Sequence, residues 1–196
     1  MDGFEGSEYI VGAAFHNYLG DETLLDNMHN ERPDKGLIFS EASIGTWNDG
    51  RSLRSRLLED KQHIALGTVN RYCTAVIVWN LMLDTNMGPN LDGGCQTCYG
   101  AVDINKNDYK TINLNSHYYV IAHLSSVIKP GAIRIGTNEK SLSTNGLIYS
   151  AFKNTDGTSA IVICNTSEMQ QNISVGNGKN IIKLIVPSKS VVSTKW

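Results

Sequence analysis

In the first part of the chain, short apolar runs alternate with stretches whose hydrophobic positions recur every three or four residues. The runs from Tyr9 to Ala14, Leu37 to Phe39 and Thr74 to Leu81 are each bounded by polar punctuation and predict strands. The last contains Ala75-Val-Ile-Val-Trp79, apolar on both alternating faces, which suits a parallel sheet covered on each side. Between the runs, Thr23 to His29 predicts a short helix with Leu24, Leu25 and Met28 on one side. The stretch from Arg51 to Tyr72 predicts a longer one, with Leu53, Leu57, Ile64, Thr68 and Tyr72 at helical spacing and Asp49 as N-cap. A third helix is expected from Asn115 or Ser116 to Ile128, stopped by Pro130-Gly131. The order β-α-β-α-β-loop-α is that of βα-barrel units.

After Pro130-Gly131 the pattern changes to period-two runs. Ile133 to Gly136, Leu147 to Phe152, Ala160 to Asn165, Gln171 to Val175, Ile181 to Val186 and Val191 to Trp196 come at hairpin spacing, with Asn154 to Gly157 and Gly176 to Gly178 as turns. This predicts an antiparallel β-sandwich over residues 131–196, behind an α/β domain over residues 1–130. Length bears on the α/β part. The whole chain has 196 residues, whereas a complete (β/α)₈ barrel takes about 250. Three units read as the last three of a TIM barrel, so the fold class is α/β plus all-β.

Composition narrows the partners. Hydrophobic residues make up 41% and charged residues 18%, which excludes wholesale disorder. Seventeen basic against nineteen acidic side chains give a formal charge of −2, which argues against nucleic acid. No apolar run approaches the roughly 20 residues of a membrane span, and the acidic start Met1 to Glu8 lacks the pattern of a signal peptide.

Four cysteines occur. Cys164 ends an Ile-Val-Ile run and Cys73 closes a predicted helix, so both read as buried small hydrophobes. Cys95-Gln-Thr-Cys98 is a single CxxC in a Gly-rich loop; a loop-stapling disulfide is its first reading and metal ligation its second. The five histidines show no metal-binding spacing, and no cofactor is implied. Asn165-Thr-Ser167 and Asn172-Ile-Ser174 match the glycosylation acceptor pattern, informative only in a eukaryotic secreted protein.

In a βα barrel, chemistry sits where strands end. The first strand here runs into Phe15-His-Asn-Tyr18, the second into Ser40-Glu-Ala-Ser43 and the third into Trp79-Asn80. A carboxylate, a histidine, a tyrosine, a tryptophan and an asparagine at one mouth suit a sugar: carboxylates do the chemistry, an aromatic face stacks on the ring, and amides bind hydroxyls. Taken singly, Trp79 reads as core, His16 as a satisfied polar residue and Glu41 as a solvated strand end. Taken jointly, at three consecutive strand ends, they read as a site.

The blocks Val11 to Tyr18, Leu37 to Gly45, Val78 to Asp84, Gly88-Pro-Asn90, Tyr118 to Ser125 and Lys129 to Ile135 resemble, in order, glycoside hydrolase family 30, the family of glucosylceramidases and endo-β-1,6-glucanases. The resemblance implies a retaining mechanism on a β-linked glucose-containing carbohydrate or glycolipid. Glu41 falls at the nucleophile position and Tyr18 at a tyrosine beside it. Trp79 falls at the tryptophan flooring the reactive sugar's subsite, with His16, Asn80 and Asn90 lining that pocket. Trp47, in the loop after Glu41, is a further sugar platform or a loop-packing residue. The Gly-Gly-Cys-x-x-Cys-x-Gly stretch from Gly93 resembles the endo-β-1,6-glucanase branch.

A retaining enzyme needs a second carboxylic acid about 5–5.5 Å from the nucleophile, and the family carries it after its fourth strand, in a part not represented here. Asn30-Glu31-Arg-Pro33 imitates the pattern but lies between a helix and the next strand, on the non-catalytic end; Asp84 has no reason for a raised pKa. Two expectations follow: a glycosidase portion completed by an N-terminal barrel half, or a non-catalytic glycan-binding fragment. The family resemblance implies a secreted, periplasmic or lysosomal setting, and the chain itself carries no compartment signal.

Overall fold

The computed structural model describes residues 7–136 and 145–196; the acidic start over residues 1–6 lies outside them. At its centre, β2 (Gly36–Glu41) buries Leu37 and Phe39 on one side of the strand. It pairs in parallel with β1 (Gly12–His16) on one edge and with β4 (Cys73–Val76) on the other, giving the order β1-β2-β4. Gly12 is required where it stands, because a Cβ there would lie 2.3 Å from the Gly36 carbonyl oxygen. The first strand starts three residues later than the apolar run suggests: Tyr9 belongs to a 3₁₀ turn, and Val11 is exposed. Helix α1 (Leu24–Glu31) buries Leu25, with Met28 packed against the same core, while Leu24 faces solvent, contrary to its expected place on the apolar side.

The long second helix is a composite. Helix α2 (Leu53–Asp60) gives way to a π turn over Lys61–Leu66, and a single turn α3 (Gly67–Val69) follows. Its N-cap is Ser52, whose hydroxyl accepts from the Ser55 N–H at 3.2 Å; Asp49 instead adopts φ 51 and accepts from the Ser55 hydroxyl. Cys73 opens β4 rather than closing a helix, though it is buried as expected. That strand also ends sooner than its apolar run, because beyond Val76 the chain leaves the regular ladder for isolated bonds: Ile77 N–H to Phe39 and Trp79 N–H to Ala42, each 2.8 Å. Helix α4 (Ser116–Ser125) has Asn115 at the cap position, but the amide of that residue donates to the Gly100 carbonyl instead. The helix stops three residues before Ile128.

Five short strands escaped the periodicity reading: β3 (Ile44–Gly45), β5 (Met82–Asp84), β6 (Cys98–Tyr99), β7 (Val102–Ile104) and β8 (Ile112–Leu114). They form a β3-β6 pair and a small β5-β7-β8 sheet on the side of Glu41.

The C-terminal region is an antiparallel sheet ordered β14-β11-β10-β9, from β9 (Ile133–Ile135), β10 (Leu147–Lys153), β11 (Ser159–Asn165) and β14 (Ser190–Lys195), with a hairpin of β12 (Gln171–Gly176) and β13 (Ile181–Val186). All of β11 is buried because both its faces are covered. Ile161 and Ile163 meet Val186 and the hairpin's Ile173, Val175 and Leu184; Ala160, Val162 and Cys164 meet Leu66, Val120 and Leu124 of the helical layer. The turn at Asn154 clamps the two regions, its amide donating to the Val127 carbonyl and accepting from the Lys129 N–H. Asn165 of the first glycosylation-like pattern is fully buried and donates to backbone carbonyls, whereas Asn172 of the second is exposed.

Candidate active site

Glu41 is the last residue of β2 and stands at the C-terminal end of the parallel sheet. A register shift between Phe15 and His16 sets His16 opposite it, and two residues on the chain turns Tyr18 back over the strand end. The Tyr18 hydroxyl donates to Glu41 Oε1 at 2.6 Å and lies 2.9 Å from Ser43 Oγ. His16 Nε2 is 4.0 Å from the other carboxylate oxygen, Oε2, and its ring meets Tyr18 edge-on at 5.7 Å. Although the tyrosine as a whole is half exposed, its hydroxyl end is turned into the strand ends. That partial burial, and then the Glu41 acceptor, push its phenol above the ordinary tyrosine pKa, while the Ser43 hydroxyl acts in the opposite sense.

Trp79 is half-buried and joins this group through the backbone: its N–H donates to the Ala42 carbonyl at 2.8 Å, and it bridges Ser43 in parallel. A cis peptide links it to Asn80. The remaining candidates belong to the surrounding loops. Asn80 accepts from the Met82 N–H through its side chain and from the Ala101 N–H through its carbonyl. The Asn90 amide donates to the carbonyls of Met87 and Cys95, at 2.9 and 3.4 Å. Trp47 is 55% exposed, and its ring lies so close over Gly45 that a Cβ there would come within 2.0 Å of it. The contact group is therefore His16, Tyr18, Glu41 and Ser43. Ser43 is not among the residues the sequence singles out; its one signal is its place two residues beyond Glu41, on the same face of an extended chain.

The loop around these residues is tied to the exit of β2. Cys95 and Cys98 form a disulfide, and Cys98–Tyr99 pairs with Ile44–Gly45. The Thr46 N–H donates to the Thr97 carbonyl, and the Arg51 guanidinium lies 3.9 Å above the Tyr99 ring while its Nε holds Asp103 at 2.6 Å. Replacing both Cys95 and Cys98 by serine is expected to lower stability by about 2 kcal/mol, the loop-closure value for so short a ring. Urea unfolding measures the loss, and amide exchange should quicken from Asn90 to Tyr99 while the β1-β2-β4 sheet stays protected.

Neither other carboxylate near the motifs resembles a proton donor. Asp84 accepts from the N–H groups of Gly88 and Asn86, and these bonds, Gly88 first, hold its carboxyl below the usual range. Glu31 ends α1 and leads into the start of β2, at the far end of that strand from Glu41. Among the described residues no cluster of His, Cys, Asp or Glu is arranged to hold a metal ion.

Residues 1–128 match the family model for the glycosyl hydrolase family 30 TIM-barrel domain, and residues 131–194 that for the family's beta sandwich domain. The chain is 32% identical over 170 residues to endo-1,6-beta-D-glucanase neg1 of Aspergillus fumigatus, covering 83% of this chain and 32% of that protein. It is 29% identical over 178 residues to putative glucosylceramidase 4 of Caenorhabditis elegans, with the same coverage of 83% and 32%. The solved structure of the endo-beta1,6-glucanase BT3312 superposes with a TM-score of 0.93 at 57% identity, over 97% of this chain and 42% of that one. The chain thus spans about a third of the length of these curated relatives. With both family models matched in order along nearly all of its residues, the chain belongs to glycosyl hydrolase family 30.

Proposed function

We propose that this chain is the nucleophile-bearing portion of a retaining hydrolase of β-linked glucans, with β-1,6-glucan as substrate. The observation that carries the reading is the hydrogen bond from Tyr18 to Glu41 Oε1 at the C-terminal end of a parallel strand. It holds one oxygen of an ionised carboxylate and leaves the other, Oε2, to attack. In the first step Oε2 bonds to the anomeric carbon as the glycosidic C–O bond breaks, and the leaving oxygen takes the electron pair and a proton from a second carboxylic acid. In the next, water replaces Oε2 at that carbon and gives its proton back to the second carboxylate. Trp79 would support the sugar's apolar face, and His16, Asn80, Asn90 and Trp47 would line the approach. The β-1,6-glucan assignment is supported by the names of neg1 and BT3312 and by the Cys95–Cys98 loop. The second acid is assigned to the further βα units that a closed barrel needs, outside this chain.

Mixing the chain with a polypeptide supplying those units, and measuring new reducing ends, tests the assignment. The pair is expected to cleave β-1,6-glucan and to leave glucosylceramide largely intact, and the chain alone to cleave neither. Glu41-dependent turnover by the chain alone would refute the external acid, and a preference for glucosylceramide would refute the substrate.

A further inference from the structure

Tyr18 sits on an exposed turn: Asn17 and Gly20 are exposed, and Leu19 is 92% exposed. The tyrosine is therefore held mainly by the bonds to its hydroxyl and by the edge of His16. A phenol has one proton, and an ionised carboxylate only accepts. The Tyr18 proton is committed to Glu41 at 2.6 Å, so across the 2.9 Å contact Ser43 is the donor and Tyr18 the acceptor. Ser43, unlike Tyr18, is rigidly placed. It lies between Ala42 and Ile44, which are 1% and 0% exposed; its backbone bridges Trp79, and its carbonyl accepts from the Asn48 amide at 3.3 Å.

We infer that Ser43 is a positioning residue for the reaction, anchoring Tyr18 and fixing the direction of a relay from Ser43 to Tyr18 to Glu41. A donor on the phenol oxygen makes Tyr18 a stronger donor in turn, as chained hydrogen bonds polarise one another. It also keeps the tyrosine in place while Glu41 carries the sugar, when an ester oxygen accepts more weakly than a carboxylate. The inference rests on the reading of Glu41 as nucleophile, and two separate measurements test the two.

The anchoring is read on the chain itself by NMR of tyrosines carbon-labelled at Cζ, with Tyr18→Phe identifying the Tyr18 signal. Ser43→Ala is expected to shift that signal and move the phenol titration further up, because a donor favouring the phenolate is lost; Glu41→Gln is expected to move it down. Ser43→Thr, which keeps the hydroxyl, should restore the original behaviour. An unchanged Tyr18 signal and titration in Ser43→Ala would overturn the inference whatever Glu41 does. The second measurement is labelling of Glu41 by 2,4-dinitrophenyl 2-deoxy-2-fluoro-β-glucoside in the completed barrel, followed by mass spectrometry. There Oε2 bonds to the anomeric carbon and dinitrophenolate leaves with the electron pair, needing no acid. Ser43→Ala should slow labelling a few-fold, and should add nothing in a Tyr18→Phe background, which a merely structural defect would not respect. Wild-type protein labelled elsewhere, or not at all, would overturn the nucleophile reading instead.

Discussion

Glu41→Ala is expected to slow cleavage of dinitrophenyl β-glucoside by the completed barrel by roughly 10⁴-fold or more, as removal of a nucleophile does elsewhere, and sodium azide is expected to restore it. The stereochemistry of the rescue carries the argument. Glu41 would attack from the face opposite the leaving oxygen, so its truncation vacates space on that face. Azide entering there forms one bond to the anomeric carbon as dinitrophenolate departs, and the product is the α-glucosyl azide, inverted relative to substrate. An acid/base residue, lying on the leaving-group side, would when truncated admit azide to the glycosyl-enzyme and give the β-azide. A β-azide from Glu41→Ala would therefore reverse the assignment. Undiminished activity would move the nucleophile to another residue. Glu41→Gln, which fills the same space, should be equally inactive and not rescued.

The readable parts of the fold were those whose burial repeats with a fixed period. Leu37 and Phe39 alternate with half-exposed neighbours and stop at a carboxylate, so β2 and its terminal Glu41 could be located together. β11 reads as a continuous apolar run because both its faces are covered. The second helix is legible as a helix but not as a composite, because Asp60 and Lys61 are polar yet buried and a π turn breaks the 3.6-residue repeat just there. The strands of two and three residues around the site have no room for a period and are set by long-range bonds such as Thr46 to Thr97. For the same reason His16, Tyr18 and Glu41 of the contact group are legible in the sequence and Ser43 is not. A carboxylate or histidine at a strand end is conspicuous, whereas Ser43 is one serine among many until the fold turns Tyr18 back onto it.

Lys61→Met is expected to stabilise the chain at pH 6 to 7 by on the order of 3 kcal/mol. Lys61 lies in the π turn with its side chain fully buried, and its Nζ donates to the Val120 carbonyl of α4 at 2.8 Å. Cys164 of β11 and His123 of α4 face the same space, and the Asp60 carboxylate next along the chain is engaged by Arg56 and His117. Burial pulls the amine down to about 7, with Cys164 opposing weakly. An unfolded lysine titrates near 10.4. Between those values the unfolded chain binds more protons than the folded one, so Lys61 makes stability rise with pH across that window and reduces it most below pH 7. The shift alone would correspond to nearly 5 kcal/mol; the bond to Val120 and local relaxation offset part of it. Methionine matches the shape without the charge, and the Val120 carbonyl keeps its place in the α4 ladder. Urea unfolding of both proteins from pH 6 to pH 9 should show the gap between them narrowing as pH rises. The Cys164 and Cys73 thiols, which burial pushes up to about 11, lower stability from the unfolded thiol value of about 8.5 upward, but both proteins carry them and their effect cancels in the gap. A gap independent of pH would mean that Lys61 is not the titrating group, and a methionine variant less stable throughout would mean that the bond to Val120 outweighs desolvation at the junction of helices and sheet.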